Sequence, residues 1–309
     1  MDCADRRSSC SFLAGLLGDR LIGTANKTAA WILVEHGGPW GKNALRDSDL
    51  DPVLVAEFER RMAATGARVQ LIAPPPGERP LWMYLAADPD GGTSPWLARL
   101  PCSGPQDVLG VDFGTLVAGG LPPGAQRVAE PLYLICANDM SDPCCGRSGP
   151  PVLAAVAGVL GPRARATTHL GGHKYAANMI VFPPALCYGR LGPDSVLDVV
   201  GASEDGQILL DRYRGRPAWR MPDQAAEHFL RVELGLTAVA GVSLATPAED
   251  STDGRYLSRF ALSDRRRYDV LLSAEKRDPP RLQSCSDAGP TVPVVWICDG
   301  ILLATDSDD

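Results

Sequence analysis

A chain of 309 residues with a formal net charge of −7 is a poor partner for nucleic acid, whose phosphates are bound by clustered Lys and Arg. With 45% hydrophobic and 22% charged residues it has the composition of a globular protein, long enough for two or three domains, and no run approaches the roughly 18 consecutive apolar residues of a membrane span. The apolar run FLAGLLG is too short for a signal peptide and is soon broken by Asp19 and Arg20, so a cytoplasmic location is expected; in a compartment that keeps thiols reduced, nine cysteines point to metal ligation, redox chemistry or burial rather than a disulfide framework.

In chain order, AAWILVE (residues 29–35) reads as a buried strand, followed by the turn GGPWG. Pro52 to Gly66 has helical spacing, with Val55, Phe58 and Met62 on one face and Gly66 as the stop. ARVQLIAPP and PLWMYLA then return as strands. This β-α-β order defines an N-terminal α/β domain over residues 1–128, for which a second thioredoxin-like fold is one reading. LPPG (121–124) marks a break. PLYLIC is a strand ending at Cys136, ANDMSDPCCGRSG a loop, and PPVLAAVAGVLG a helix with its prolines in the first turn. ARATTHL gives a short strand, KYAAN a short helix, MIVFPPALCYGRL two strands joined by Pro-Pro-Ala, and DSVLDVVGAS a helix. The order β-α-β-β-β-α over residues 129–212 is that of a small thioredoxin-like domain. From residue 213 to 309 the pattern is α+β: AAEHFLRVELG is a helix stopped by Gly235, GRYLSRFAL, RYDVLLSAE and PRLQSC alternate like antiparallel strands, and TVPVVWICDGILLA precedes a frayed acidic tail, TDSDD. No internal repeat is visible at a fixed period.

Two of the four histidines, His169 and His173, stand in TTHLGGHKY. Gly171 and Gly172 between them disfavour a helix and favour a tight loop around a ligand. Two packed polar side chains would leave the same pattern, so the pair needs a partner. The cysteine loop supplies one, with Cys136, Cys144 and Cys145: two thiolates and two imidazoles make four ligands. Cys144 and Cys145 are not separated by the residues alone. Adjacent side chains point apart, so one of them would reach the site.

CANDMSDPCCGRSG and TTHLGGHKYAANMIVFPPALCYGRL, together with GTANKTAAWILVEHGGPWGKNAL, resemble the sucrase/ferredoxin-like family over most of the chain. The resemblance implies a thioredoxin-like ferredoxin domain with a [2Fe-2S] cluster held by C-x8-C and H-x3-H. Here those spacings fall on Cys136 with Cys145, and His169 with His173; Cys144 is one residue short and stands as the alternative to Cys145. Gly171, Gly172, Lys174, Tyr175 and Asn178 are the neighbours placed to tune the site, and for Lys174, Tyr175 and Asn178 a plain packing or surface role is the competing reading. Neutral imidazoles in place of thiolates raise the potential of such a centre and add proton coupling. The implied role is an electron carrier rather than an enzyme, with no catalytic residue, passing single electrons between a donor reductase and an acceptor enzyme. Docking would be electrostatic, with Asp139 and Asp142 as turn residues or an acidic rim. Two other classes compete: a structural zinc protein, since Cys2His2 is an ordinary zinc set, and a thiol-disulfide oxidoreductase using Cys144 or Cys145, which lacks a C-x2-C motif. Cys3 and Cys10 could join His36 in a second metal site, without a supporting spacing. Cys102, Cys187, Cys285 and Cys298 read as small buried hydrophobes.

Overall fold

The computed structural model describes residues 6–77, 80–249 and 254–304; Cys3 and the acidic tail lie outside these. The fold is α+β, as expected. One ten-stranded mixed sheet and one four-stranded antiparallel sheet carry helices on their faces. The first half of the large sheet comprises β1 (Ala30–Glu35), α2 (Pro52–Thr65), β2 (Ala67–Ile72), β3 (Leu81–Ala87), β4 (Trp96–Cys102), the short α3 (Phe113–Val117) and β5 (Gln126–Arg127), after a leading α1 (Cys10–Leu16). The second half comprises β6 (Leu132–Cys136), α4 (Pro143–Leu160), β7 (Ala164–Thr167), β8 (Met179–Phe182), β9 (Leu186–Tyr188), α5 (Pro193–Glu204) and β10 (Tyr213–Gly215).

The strand order β10-β9-β8-β6-β7-β2-β1-β3-β4-β5 reads the same from either end. In each half a central strand pairs parallel with the strand after its helix and antiparallel with the next. The chain therefore repeats one topology without a repeat in its sequence. The halves join through β2 and β7, antiparallel, at Ile72 and Thr167. The seam is polar: Gln70 Nε2 donates to Thr167 Oγ1 (2.9 Å) and Thr168 Oγ1 (2.7 Å), and buried Arg165 and Glu35 pair at 3.2 Å. Side chains alternate along each strand. Ile32 and Val34 join the core beneath α2 and α3, whereas Trp31 and Leu33 face a core shared by both halves. On β6 the same alternation sends Tyr133 and Ile135 toward α4 and α5, and Leu134 and Cys136 into the shared core.

The C-terminal region packs α6 (Met221–Leu234) on β11 (Val242–Thr246), β12 (Arg255–Leu262), β13 (Arg267–Lys276) and β14 (Val294–Leu303). Glu227 of α6 is buried and binds Arg216 (3.1 Å), Arg231 (2.9 Å) and the Tyr213 hydroxyl (2.8 Å), so the charge is compensated on three sides.

Two expectations are corrected. PRLQSC is not a strand; apart from an isolated bridge between Arg281 and Thr291 it is a loop. The helix read from Pro150 starts at Pro143, so Pro150 and Pro151 lie inside it. The physical reason is the cap. Asp142 accepts from the Cys144 N–H at 2.8 Å, and Pro143 stands in the first turn, where a missing N–H costs nothing. The glycines and serine that follow look like a loop in sequence, yet the helix runs through them because it packs on the end of β6. Gly149 lies so close to the Cys136 carbonyl that an added Cβ would fall inside contact distance.

Candidate metal centre

The early helix start decides between the adjacent cysteines. Successive residues on a helix point about 100° apart. Cys145 faces the histidine loop, its sulfur 3.8 Å from His169 Nδ1 and 3.6 Å from His173 Nδ1. Cys136, at the end of β6, places its sulfur 3.8 Å from His169 Nδ1. The imidazoles stack with centroids 3.7 Å apart and planes 9° from parallel, both presenting Nδ1 to the sulfurs. Cys144 points the other way, toward Cys10 and Cys285. Cys136, Cys145, His169 and His173 are thus brought together, and Cys144 is not part of that group. The sulfurs are buried, while the imidazoles are partly exposed, with the His173 side chain 19% exposed.

The electrostatics suit ligands. A hydrogen bond from the Cys145 thiol pulls Cys136 well below the ordinary thiol range against the opposing effect of burial, with His169 adding to it, and the same bond together with burial pushes Cys145 up. Burial, then the neighbouring His169, lowers the pKa of His173 and favours the neutral ring that a metal requires. Cys144 is lowered to about 6, chiefly by a hydrogen bond from the Cys10 thiol and also from the Ser11 hydroxyl, against burial, while that same bond raises Cys10.

The loop that carries the histidines is held from beneath. Gly171 and Gly172 have φ of +91° and +76°, a left-handed backbone that glycine adopts without strain. Their carbonyls are met by one residue of a distant strand and one just past the loop itself. Arg214, fully buried on β10, donates Nη1 to Gly171 O (2.9 Å) and Asn178 Oδ1 (2.8 Å), and Asn178 Nδ2 donates to Gly172 O (3.0 Å). Arg68 of β2 donates to the His169 carbonyl. Tyr175 is buried against the Arg214 guanidinium, 5.1 Å from its ring centroid. Asn178 and Tyr175 therefore support the loop, whereas Lys174 turns away to bind Asp19 at 3.0 Å, where Arg281 also binds. Arg68 and Arg214 escaped sequence reasoning. The one clue was that a Gly-Gly loop beside a candidate metal site needs donors for its carbonyls, and sequence does not say which donors.

The remaining expectations separate. His36 pairs with Asp49 at 2.8 Å and does not join Cys10. Cys187 is buried as expected, but Cys102 and Cys298 are partly exposed and Cys285 meets Cys144. Asp142 is the cap of α4. Among the described residues no helix is long and apolar enough to cross a membrane.

Residues 21–215 match the model of the sucrase/ferredoxin-like family, well over half of the chain. The chain belongs to that family. It is similar to Altered inheritance of mitochondria protein 32 of Meyerozyma guilliermondii (34% identical over 101 residues, 29% of this chain and 36% of the relative). It is also similar to the proteins of that name from Clavispora lusitaniae (34% over 98 residues, 29% and 36%) and Debaryomyces hansenii (31% over 101 residues, 29% and 37%). The chain thus spans about a third of the length of these relatives. No solved structure matches it. The Cys/His group of this family member is a candidate metal site: three of its ligand atoms, from Cys136, Cys145 and His169, lie within 4.8 Å of one another.

Proposed function

We propose that the chain is an electron carrier whose centre is a [2Fe-2S] cluster on Cys136, Cys145, His169 and His173. The observation that carries this reading is the polarity of the site, with two buried sulfurs inside and two stacked imidazoles on the open side. The donor set fits the cluster, with the cysteine pair for one iron and the histidine pair for the other. When bound, the cluster would take up and release one electron at a time. The imidazole edges form the exposed path for that electron, and the buried side keeps water from the sulfurs. With Nδ1 turned to the sulfurs, Nε2 is the nitrogen left to exchange a proton. Deprotonation there favours the oxidised state, so the midpoint potential should be flat at low pH and fall at higher pH, with a limiting slope of about 59 mV per unit for one proton and one electron. Partners on this reading are a reductase and an acceptor enzyme that dock by charge, in a compartment that keeps thiols reduced.

One observation favours a second reading. Sulfur–nitrogen separations of 3.6 and 3.8 Å are close to the edge of a single tetrahedral ion, about 3.6 Å for zinc with its usual bond lengths. A two-iron cluster would call for a wider gap between the cysteine pair and the histidine pair than these separations. Protein purified without oxygen should contain two irons and two labile sulfides per chain, as the cluster's formula requires, with a visible spectrum and an EPR signal on reduction. Zinc in this site without sulfide, after reconstitution with iron and sulfide, would replace the electron carrier with a structural zinc protein.

A further inference from the structure

On the opposite side of the first turn of α4 a second set of thiols converges. Cys10 opens α1, Cys144 belongs to α4, and Cys285 comes from the loop before β14, so the three are far apart in sequence. Their sulfurs form a chain: Cys10 to Cys144 is 3.5 Å, and Cys144 to Cys285 is 3.5 Å. Together with a carboxylate oxygen of Asp142 these atoms all lie within 4.8 Å of one another. We propose that Cys10, Cys144 and Cys285 form a second, mononuclear metal site that takes Zn2+, with the Asp142 carboxylate as the fourth ligand.

The distances choose among thiol-rich chemistries. A disulfide needs sulfurs at about 2.05 Å, and neither pair is near that; closing one would also call for an oxidant. A tetrahedral zinc ion with bonds of about 2.3 Å sets its sulfurs about 3.8 Å apart, close to what is seen. Larger iron–sulfur clusters interpose inorganic sulfide and spread their cysteines more widely than these. Thiolates select soft or borderline ions, and an oxygen as fourth donor favours zinc over monovalent copper.

The surroundings supply what thiolates need. Each bound thiol gives up its proton, and the negative charge that results is met by donors already in place. Ser11 Oγ donates to the Cys144 sulfur at 3.2 Å, and the Cys10 N–H approaches the Cys285 sulfur at 3.5 Å. Cys144 also stands at the positive end of an 18-residue helix. Asp142 is fixed by the N–H groups of Cys144 (2.8 Å) and Cys285 (2.9 Å) and by the Ser284 hydroxyl (2.9 Å), so its carboxylate is oriented by the same segments that carry the sulfurs. The site would clamp α1 and the C-terminal loop onto the helix turn that presents Cys145 to the other centre. It does not depend on whether iron or zinc fills the Cys136 and histidine site.

The test is zinc X-ray absorption on the whole wild-type chain, expressed with added zinc, loaded with iron and sulfide, and dialysed against a weak chelator. This spectrum does not see iron. About one zinc per chain is expected, with a sulfur-dominated first shell and no imidazole scattering. Cys10→Ser and Cys285→Ser should each lower the zinc retained by at least tenfold and leave the iron, sulfide and visible spectrum unchanged. No zinc retained by the wild type would overturn the proposal, and that result needs no variant to fold. So would zinc that shows imidazole scattering, survives Cys10→Ser and is lost in Cys145→Ser. That last pattern would place zinc in the first centre and refute the cluster as well, whereas absence of zinc with iron and sulfide intact refutes only the second site.

Discussion

In the first half of the large sheet β1 ends at Glu35 and α2 starts at Pro52 after an Asp51 cap; in the second β6 ends at Cys136 and α4 starts at Pro143 after an Asp142 cap. The caps are alike: each aspartate accepts the N–H two residues on at 2.8 Å. The next two positions are Val53 and Leu54 in one half, Cys144 and Cys145 in the other. Val53 is 78% exposed, whereas Cys144 is 1% exposed beneath α1 and the loop that carries Cys285. At the end of the first strand Glu35 pairs with Arg165 of the other half, and the next residue, His36, pairs with Asp49. The same backbone device, a strand end facing a capped helix start, therefore yields packing and an ion pair in one half and a donor cluster in the other. The topology builds a place where side chains converge, and a handful of residues decide whether chemistry happens there.

The largest effect on this contrast should come from Cys145→Ser, which removes one of the four proposed ligands: metal content and visible absorption at the first centre should fall to near background, while Cys144→Ser leaves them in place. The reverse outcome, read by iron and sulfide analysis, would move the ligand to Cys144 and break the assignment made from the helix start.

Next in size is Asp19→Asn. Asp19 holds Lys174 of the histidine loop and Arg281 of the C-terminal loop, and its loss leaves two buried cations, at a cost on the order of 3 kcal/mol near pH 7. Burial opposes ionisation of Asp19, but hydrogen bonds from Arg281 and Lys174, and their charges, outweigh it and hold the carboxyl below its ordinary range. A depressed carboxylate contributes fully above the unfolded pKa, and the contribution is lost as pH falls through the folded value. The gap between wild type and variant in urea unfolding should therefore close below about pH 4. A gap that does not narrow as the pH falls would show that the charge is not what matters.

Gly149→Ala should cost about 1–3 kcal/mol, because the added methyl meets the Cys136 carbonyl and pushes α4 off the strand end. Gly158→Ala on the same helix has open space around its Cβ and should instead gain about 0.5–1 kcal/mol. Thermal unfolding of the two, with metal content measured alongside, separates helix propensity from the seating of the site; equal effects would undo the argument for the early helix start. The smallest change is His36→Ala in the first half. Its pair with the exposed Asp49 is worth under about 1 kcal/mol, and metal content should not move. Loss of metal in this variant would make the first half part of the centre.

Much of this was legible in the chain. Short continuous apolar runs rich in β-branched and aromatic residues marked β1, β6 and β8, because a strand buried on both faces needs such residues whatever its partners. H-x3-H with two glycines marked a loop around a ligand, because only glycine takes that backbone cheaply. What composition and spacing could not supply were relations between distant segments. The mirrored order of the ten strands has no sequence repeat, since it rests on hydrogen bonds rather than on particular side chains. The helix start at Pro143 was hidden, because SGPP looks like a break until Gly149 is seen pressed on Cys136. The choice of Cys145 over Cys144 rested on the spacing that a family resemblance implied; the 100° between helical neighbours is what turns one sulfur to the histidines and the other to Cys10 and Cys285. Cys285 read as a small buried hydrophobe, and only the fold brings it to Cys144, across 141 residues of chain.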